Sequence, residues 1–229
     1  MNTRSLIIAH KIIVASLCSP EIITKCLNNL RKQKIYIVEF DIRETHDGFF
    51  IVSHDNKLLG FPKLMKESTL IELRKYSEEK KCSLMTLDEA LSLIPQEFQV
   101  NIELKDKVIV VSKFIATIKR FDINRFIISS FYPKNLLRLY NSGIQRRWLL
   151  TSISYRRNLL HLLYALRPIR TAIKYKATGI APFYRLVTPE LIRKAHDKDL
   201  TVAAWTVNDK KIAELLQQNN ADWIISDIT

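Results

Sequence analysis

Residues 35–41 of the chain read Ile-Tyr-Ile-Val-Glu-Phe-Asp, a run of β-branched and aromatic residues that ends in two acids. This composition predicts a β-strand. Glu39 and Asp41 stand two positions apart, and side chains alternate along a strand, so both carboxylates project to one face. Val38 and Phe40 project to the other face, where helices are expected to pack. The segment therefore predicts a strand that ends in two adjacent carboxylates.

The same pattern, a short apolar run followed by a helix-like segment, recurs along the whole chain. Eight strands are predicted, over residues 6–10, 35–41, 99–104, 125–130, 147–150, 178–181, 200–205 and 223–226. Alternating strands and helices imply parallel pairing. Eight such units in 229 residues favour a (β/α)₈ TIM barrel over an open doubly wound sheet, which usually carries a glycine-rich first turn. We expect one domain covering residues 1–229.

Two of the helices are marked by the residues that precede them. Thr69 and Thr86 each stand before a helix-like segment, and Glu72 and Glu89 follow three residues later. A threonine with a glutamate three residues on can form a capping box, in which each side chain bonds the main chain of the other residue. We therefore expect a helix to begin after each threonine.

The composition is that of an ordinary globular protein. Hydrophobic residues make up 47% and charged residues 26% of the chain, which argues against intrinsic disorder. Apolar runs are shorter than the roughly 18–20 residues that a transmembrane helix needs. Three cysteines without a C-x-x-C pair argue against a disulfide framework or a cysteine zinc site. His10 and Lys11 interrupt the N-terminal apolar stretch, unlike a secretion signal. We expect a cytoplasmic protein.

Positive charge is concentrated in one part of the chain. The formal net charge is +13, and residues 123–189 contain twelve Lys or Arg but no Asp or Glu. A solvated basic face, contact with an anionic membrane and nucleic-acid binding are three interpretations of such a stretch. No helix-turn-helix, RRM or zinc-finger signature is present, which argues against nucleic acid. Between Tyr155 and Lys176, leucines and isoleucines run among six cations, and Pro168 is expected to divide the segment into two helices.

Candidate site residues collect at or just after the predicted strand ends, which form the mouth of a barrel. They are His10, Lys11, Glu39, Asp41, His54, Glu103, Lys105, Phe131 and Trp205. Three carboxylates that converge on one mouth repel one another unless a cation neutralises them. Carboxylate oxygens suit Mg²⁺ or Ca²⁺, whereas zinc favours His or Cys. We therefore expect Glu39, Asp41 and Glu103 to hold a divalent cation.

The charges at this mouth suggest the class of substrate. The charges of three carboxylates, one divalent cation, Lys11 and Lys105 leave a single positive charge, which a phosphodiester would neutralise. His10 and His54 can supply an acid and a base near neutral pH. Metal, histidines and lysines together predict phosphoryl chemistry on a phosphate ester.

At this point the ordered motifs resemble those of the glycerophosphodiester phosphodiesterase family along nearly the whole chain. The matching segments are His10-Lys11, Glu39-Phe40-Asp41, Glu44 to Gly48, His54-Asp55, Thr86 to Ala90, Asn101 to Lys105, Ser129 to Phe131, Ala204 to Asn208 and Ala221 to Asp227. The resemblance implies a TIM barrel of the phospholipase C-like phosphodiesterase type. It also implies metal-dependent hydrolysis of a glycerophosphodiester to glycerol 3-phosphate and an alcohol.

The resemblance also assigns roles to the candidate residues. Those roles are metal ligands for Glu39, Asp41 and Glu103, general acid and base for His10 and His54, phosphate contacts for Lys11 and Lys105, and pocket lining for Phe131 and Trp205.

Departures from the family pattern surround the first motif. The family has Arg where this chain has Lys11, Gly where it has Ile12, and Asn-Thr at Ile22-Ile23. The segment between the second strand region and Thr86 is shorter than the insertion that the family usually carries there.

Two alternative functions stay open at this stage. One is a phospholipase D-like enzyme that acts on lysophospholipids at a membrane surface, which the basic region favours. The other is an inactive barrel that binds lipid or phosphate. The expected partner is a small-molecule glycerophosphodiester, with contact to an anionic membrane as a further option and no nucleic acid.

Overall fold

The structure is a computed structural model that describes residues 6–12, 19–153 and 159–227. Within these residues the strands are β1 (Leu6–Ala9), β2 (Ile37–Glu44), β3 (Phe50–Val52), β4 (Gln99–Leu104), β5 (Phe126–Ser130), β6 (Arg146–Thr151), β7 (Gly179–Pro182), β8 (Thr201–Ala204) and β9 (Trp223–Ser226). All except β3 pair in parallel in the order β1-β2-β4-β5-β6-β7-β8-β9, and β9 pairs with β1. The predicted (β/α)₈ barrel is confirmed.

Helices connect the strands around the outside of this barrel. They are α1 (Pro20–Lys32), α2 (Leu70–Glu79), α3 (Leu87–Leu93), α4 (Val111–Ile118), α5 (Pro133–Arg138), α6 (Leu159–Leu166), α7 (Pro168–Lys174), α8 (Pro189–His196) and α9 (Lys210–Gln218). Short 3₁₀ turns span Met65–Glu67, Ile123–Arg125 and Tyr184–Leu186. Helix α7 begins at Pro168, so the segment divides where the sequence predicts, although residues 154–158 lie outside the described chain. No described helix is long and apolar enough to span a bilayer.

Both predicted capping boxes are present. The hydroxyl of Thr69 accepts a hydrogen bond from the Glu72 N–H at 3.2 Å, and the Glu72 carboxylate accepts the Thr69 N–H at 2.8 Å. Thr86 and Glu89 exchange the equivalent bonds at 3.3 and 2.8 Å. These bonds satisfy main-chain donors at the starts of α2 and α3 that have no partner within the helix.

The core follows the alternation predicted for residues 35–41. Val38 and Phe40 are fully buried in the layer between strands and helices. Ile37, on the face that carries Glu39 and Asp41, packs instead inside the barrel, in a cluster with Trp148. The barrel interior is therefore filled with apolar side chains, and acids line it at the end where the strands have their carboxyl termini.

Strand β2 extends to Glu44, beyond the predicted end at Asp41, because its last residues form a hairpin with β3. Ile42, Arg43 and Glu44 pair antiparallel with the residues of β3. Glu44 is buried, and its carboxylate accepts a hydrogen bond from the Val110 N–H at 3.1 Å. The same carboxylate forms an ion pair with Lys66 at 2.9 Å. The hairpin therefore continues the chain past the barrel rim toward the His54 loop.

Not all cations of residues 123–189 lie on a solvated face. Arg125 and Arg147 are buried, at 7% and 5% exposure, and their guanidinium groups donate to main-chain carbonyls. A guanidinium has five donors, so it can satisfy several carbonyls where strands begin and helices end. The solvated-face interpretation is therefore wrong for these two arginines.

We expect Arg125→Leu to lower the free energy of unfolding by about 2–4 kcal/mol, because it removes hydrogen bonds from buried carbonyls. Arg125 donates to the carbonyls of Phe98, Pro95 and Ile94 at 2.9, 2.7 and 3.1 Å. Urea denaturation measures the change. The control is Arg120→Leu, whose side chain is 65% exposed in an ion pair with Asp88, and which should cost less than about 1 kcal/mol. Equal effects would contradict a structural role for Arg125.

Candidate active site

Three carboxylates meet at the carboxyl end of β2 and β4. Oxygens of Glu39, Asp41 and Glu103 all lie within 4.8 Å of one another, and the three residues are buried. The strand register causes this approach, because Asp41 pairs with Glu103 directly across the two strands. Burial and the neighbouring carboxylates raise the pKa of Glu39 well above its ordinary value, and burial likewise raises the pKa of Glu103.

Lys105 supplies one positive charge to this carboxylate cluster. Its ammonium lies 3.0 Å from Glu103 Oε1 and 3.4 Å from Asp41 Oδ1. Burial works against the charge of Lys105, yet the carboxylates of Glu103 and Asp41 raise its pKa above the ordinary value. A single ammonium cannot balance three carboxylates, so the cluster retains excess negative charge in a buried place.

Other buried oxygens point to a ligand at the same position. Apart from the Lys105 ammonium, Asp41 Oδ1 and Glu103 Oε1 have no hydrogen-bond partner among the described residues, and neither do Asn101 Oδ1 and Ser129 Oγ. Buried polar atoms are normally satisfied, so this group of oxygens fits a bound cation or polar ligand. The donors are all hard oxygens, a set that fits Mg²⁺ or Ca²⁺ and does not fit a thiolate-type zinc site.

Asn101 and Ser129 have no predicted role, although both lie in segments that match the family motifs. Asn101 is two positions before Glu103 on β4 and so shares its face, while Ser129 of β5 pairs with Glu103 in register. The spacing of Asn101 from Glu103 was the available signal. The contribution of Ser129 depends on the register between strands, which a single sequence does not reveal.

His10 is held by the carboxylate of Asp227, the residue that directly follows the last strand of the barrel. His10 Nδ1 lies 2.5 Å from Asp227 Oδ1, and His10 Nε2 lies 3.7 Å from Glu39 Oε2. Asn208 donates to the second oxygen of Asp227 at 2.8 Å and accepts its N–H at 2.9 Å. Burial lowers the pKa of His10, and the bond to Asp227 opposes that shift. Asp227 was quoted in the last motif, but sequence analysis gave it no role.

Lys11 and His54 complete the rim of the site. The main-chain N–H of Lys11 donates to Glu39 Oε2 at 2.9 Å. His54 is half exposed, and its Nδ1 lies 3.0 Å from Asp55 Oδ1. Burial, followed by the nearby charges of Lys105 and Lys11, lowers the pKa of His54 against the effect of its bond to Asp55. The imidazoles of His10 and His54 therefore favour the neutral form.

Arg43 fixes the loop that carries His54. Its guanidinium donates to the His54 carbonyl at 2.9 and 3.2 Å and pairs with Asp106 at 3.0 Å. Arg43 lies on the extension of β2 toward the hairpin, so the hairpin positions one histidine over the carboxylates. Arg43 was not among the predicted site residues, because the strand was predicted to end at Asp41.

Aromatic side chains form the remaining wall of the pocket. The rings of Phe131 and Trp205 contact edge to face, with centroids 5.4 Å apart, and Trp205 donates its indole N–H to the Ala181 carbonyl at 2.6 Å. One pocket is lined by His10, Lys11, Glu39, His54, Asn101, Glu103, Lys105, Ser129, Phe131, Leu150, Trp205, Thr206 and Ile225. Asp41, the remaining predicted residue, contributes to the carboxylate cluster. The arrangement joins acids, two imidazoles, two ammonium groups and an apolar wall, as phosphate-ester hydrolysis would require.

Known proteins share both this sequence and this architecture. A curated glycerophosphodiester phosphodiesterase of Caldanaerobacter subterraneus is 28% identical over 206 residues, covering 83% of this chain and 81% of the relative. A phosphodiesterase of Oleispira antarctica, solved in complex with the product sn-glycerol-3-phosphate, has a TM-score of 0.74 at 21% identity, covering 97% of this chain and 92% of that one.

The glycerophosphodiester phosphodiesterase of Thermotoga maritima has a TM-score of 0.71 at 20% identity, covering 99% of this chain and 96% of that one. At such identities the two solved structures establish the shared fold. The sequence profile described as the glycerophosphoryl diester phosphodiesterase family matches residues 27–229. The predicted resemblance and the prediction of a phosphodiesterase enzyme are thereby confirmed, and the chain belongs to the glycerophosphoryl diester phosphodiesterase family.

Proposed function

We propose that the protein, as one domain over residues 1–229, hydrolyses glycerophosphodiesters to glycerol 3-phosphate and an alcohol with the help of Mg²⁺ or Ca²⁺. The observation that carries this proposal is the buried carboxylate cluster with unsatisfied oxygens beside two imidazoles in one pocket. The related Oleispira phosphodiesterase, which holds sn-glycerol-3-phosphate, supports the choice of substrate.

Glu39, Asp41 and Glu103 would hold the divalent cation. When bound, the cation offers positive charge to a phosphate oxygen and lowers the pKa of a hydroxyl that it contacts. Lys105 already lies against two of these carboxylates, and Lys11 lines the same pocket. Their ammonium groups stabilise the charge that develops on the phosphoryl oxygens.

His10 and His54 divide the proton transfers. Hydrolysis breaks the P–O bond to the alcohol, so the leaving oxygen must gain a proton while the attacking hydroxyl loses one. The attacking hydroxyl belongs either to water or to the glycerol of the substrate, and in the second case water then opens the cyclic phosphate. A proton on His10 Nδ1 is bonded to Asp227, which leaves Nε2 with a free lone pair toward the pocket. His54 has the same arrangement toward Asp55. One imidazole accepts the proton of the attacking hydroxyl. The other donates to the departing alcohol from its protonated form, which is the minor form at neutral pH because burial lowers its pKa.

The aromatic wall positions the organic part of the substrate. Phe131 is buried, and the indole of Trp205 is fixed by its bond to Ala181. Rigid rings present an apolar surface to the carbon atoms of glycerol or the alcohol while the charged groups bind the phosphate.

A substrate panel tests the proposed function directly. We expect turnover of glycerophosphodiesters with Mg²⁺ or Ca²⁺ and none in excess chelator. Turnover of lysophospholipids in the same panel would indicate the phospholipase D-like alternative. Binding without turnover of any substrate would indicate an inactive barrel. Full activity in chelator would contradict the metal assignment.

Glu39→Gln should lower activity at least about 100-fold. Loss of a residue that only supports a metal ligand costs up to about 100-fold, and Glu39 would be a ligand itself. In chelator it should raise the melting temperature at pH 7, because it removes one buried like charge. Because the pKa of Glu39 is raised, its carboxyl group binds a proton more tightly in the folded state than in the unfolded state. The free energy of unfolding of the wild type therefore falls as pH rises above the ordinary glutamate pKa. The advantage of the variant should therefore vanish near pH 4. A uniform loss of stability at every pH would contradict the assignment.

His10→Gln and His54→Gln should each lower kcat by about 10²–10⁴-fold, the usual contribution of acid–base catalysis. His46→Gln is the matched control, because His46 is exposed in the turn between β2 and β3 and should keep full activity. Steady-state kinetics on a soluble glycerophosphodiester measure all three. Near-wild-type turnover of either site variant would remove that histidine from the mechanism.

Asp227→Asn should lower kcat by about 10–100-fold with little change in KM, because Asp227 orients the imidazole of His10 without being placed against the phosphate. The control is Asp222→Asn. Asp222 also pairs with a histidine, His196 at 2.9 Å, but it stands at the beginning of β9, at the opposite end of the barrel. The control should keep its kcat even if it loses stability. Parallel losses of kcat in the two variants would mean that Asp227 acts only through folding.

A further inference from the structure

Helix α6 is an apolar helix whose outer side is exposed. It reads Leu-Leu-His-Leu-Leu-Tyr-Ala-Leu and contains no charged residue. Leu160, Leu162, Leu163 and Leu166 are 50%, 38%, 48% and 65% exposed. A surface helix of a barrel normally presents polar residues to solvent. Four exposed leucines on one short helix therefore indicate an interaction surface.

The inner side of α6 is anchored to the barrel by aromatic contacts. His161 is buried, and its ring lies 5.2 Å from Tyr132 and 6.1 Å from Tyr164. Tyr164 in turn contacts Tyr175 at the end of α7, at 6.3 Å. The leucines thus face outward on a helix whose opposite side is already occupied.

Cations follow these leucines directly along the chain. Arg167, Arg170 and Lys174 are exposed in and next to α7, with Ile173 47% exposed among them. None of the three cations forms an ion pair with any residue that the structure describes, and residues 154–158, outside it, contain no acid. We call Leu160, Leu162, Leu163, Leu166, Arg167, Arg170, Ile173 and Lys174 the α6–α7 face.

Acids on the adjacent helix do not neutralise the α6–α7 face. Glu190 of α8 pairs with Lys194 at 2.6 Å, and Asp197 pairs with Arg193 at 3.0 Å. Lys194 and Leu191 also border the groove beside Arg170. The face therefore combines an exposed apolar stripe with uncompensated positive charge.

The part of the α6–α7 face on α6 and at the start of α7 lies toward the mouth of the candidate active site, whereas Lys174 lies toward the opposite end of the barrel. Helix α6 follows the carboxyl end of β6, the barrel end that carries the site. Its contact residue Tyr132 directly follows Phe131, which lines the pocket. A partner seated on α6 would therefore lie beside the pocket rather than at the opposite end of the barrel.

We propose that the α6–α7 face docks on the surface of an anionic lipid bilayer. The leucines enter the boundary between headgroups and acyl chains, and the cations lie among lipid phosphates. Charge complementarity favours this occupant over a second copy of the chain. A twofold dimer through this face would enclose the cations of both copies in one interface that offers no unpaired acid to neutralise them. Nucleic acid offers phosphates but no apolar layer for four leucines.

Vesicle binding tests the proposal without reference to catalysis. The full chain is sedimented with vesicles of phosphatidylcholine alone or with phosphatidylglycerol added, at low and high salt. We expect binding to the anionic vesicles at low salt, weaker binding at high salt because charges are screened, and little binding to the neutral vesicles.

The double variant Arg167→Gln with Arg170→Gln should weaken binding to anionic vesicles about 30-fold. This is the loss expected when two cations that each favour binding to such a surface are removed. Leu163→Gln with Leu166→Gln should weaken it about tenfold at both salt concentrations. The matched control is Lys119→Gln with Lys198→Gln, which removes the same charge from exposed positions after α4 and α8, at the other end of the barrel. The control should bind as the wild type does.

Three results would overturn the proposal. They are equal binding to neutral and anionic vesicles, equal losses in the control and the Arg167/Arg170 variant, and a concentration-dependent dimer abolished by the Leu163/Leu166 variant. The last result would assign the face to a second copy of the chain. Turnover of a soluble glycerophosphodiester should be unchanged in all these variants, so a failure of docking would leave the proposed function intact.

Discussion

Repulsion among three buried carboxylates is the constraint on which the rest of the site depends. Glu39, Asp41 and Glu103 are placed within 4.8 Å of one another by the register of two parallel strands. Such a group is unfavourable in a low-dielectric interior unless positive charge enters it. The fold provides one ammonium, Lys105, against two of these carboxylates, and it leaves the nearby oxygens of Asn101 and Ser129 without a partner among the described residues. Pairing of β2 with β4 therefore creates a position that a cation would stabilise.

The two histidines are attached to this cluster by different parts of the fold. His10 depends on barrel closure, since its carboxylate partner Asp227 directly follows β9, the strand that pairs with β1. His54 depends on the hairpin, since Arg43 holds its main chain over the rim. Each imidazole thus depends on a tertiary contact, which joins two side chains at His10 and a side chain to a main-chain carbonyl at His54.

The alternation of apolar runs and caps predicts the barrel well, because parallel strands and capped helices depend on local sequence. The same local rules place Glu39 and Asp41 on one face. They do not predict the burial of Arg125, the extension of β2 to Glu44, or the bond between His10 and Asp227. Each of these depends on which strands become neighbours, and that information is spread over the whole chain. The family resemblance marked Asp227 as part of a motif, but only the closed barrel connects it to His10.

The pairing of β1 with β9 has a consequence for how the protein is made. His10 and Asp227 are separated by 217 positions along the chain, so the first strand emerges from the ribosome long before its last partner is synthesised. Until β9 arrives, β1 has one free edge and the imidazole of His10 has no carboxylate. Domains fold as units once their contacts are available, and here the closing of the barrel also brings Asp227 to His10. Translation that stops before Trp223 would therefore release a chain with an open sheet edge and an unfinished site, a natural target for chaperones and proteases.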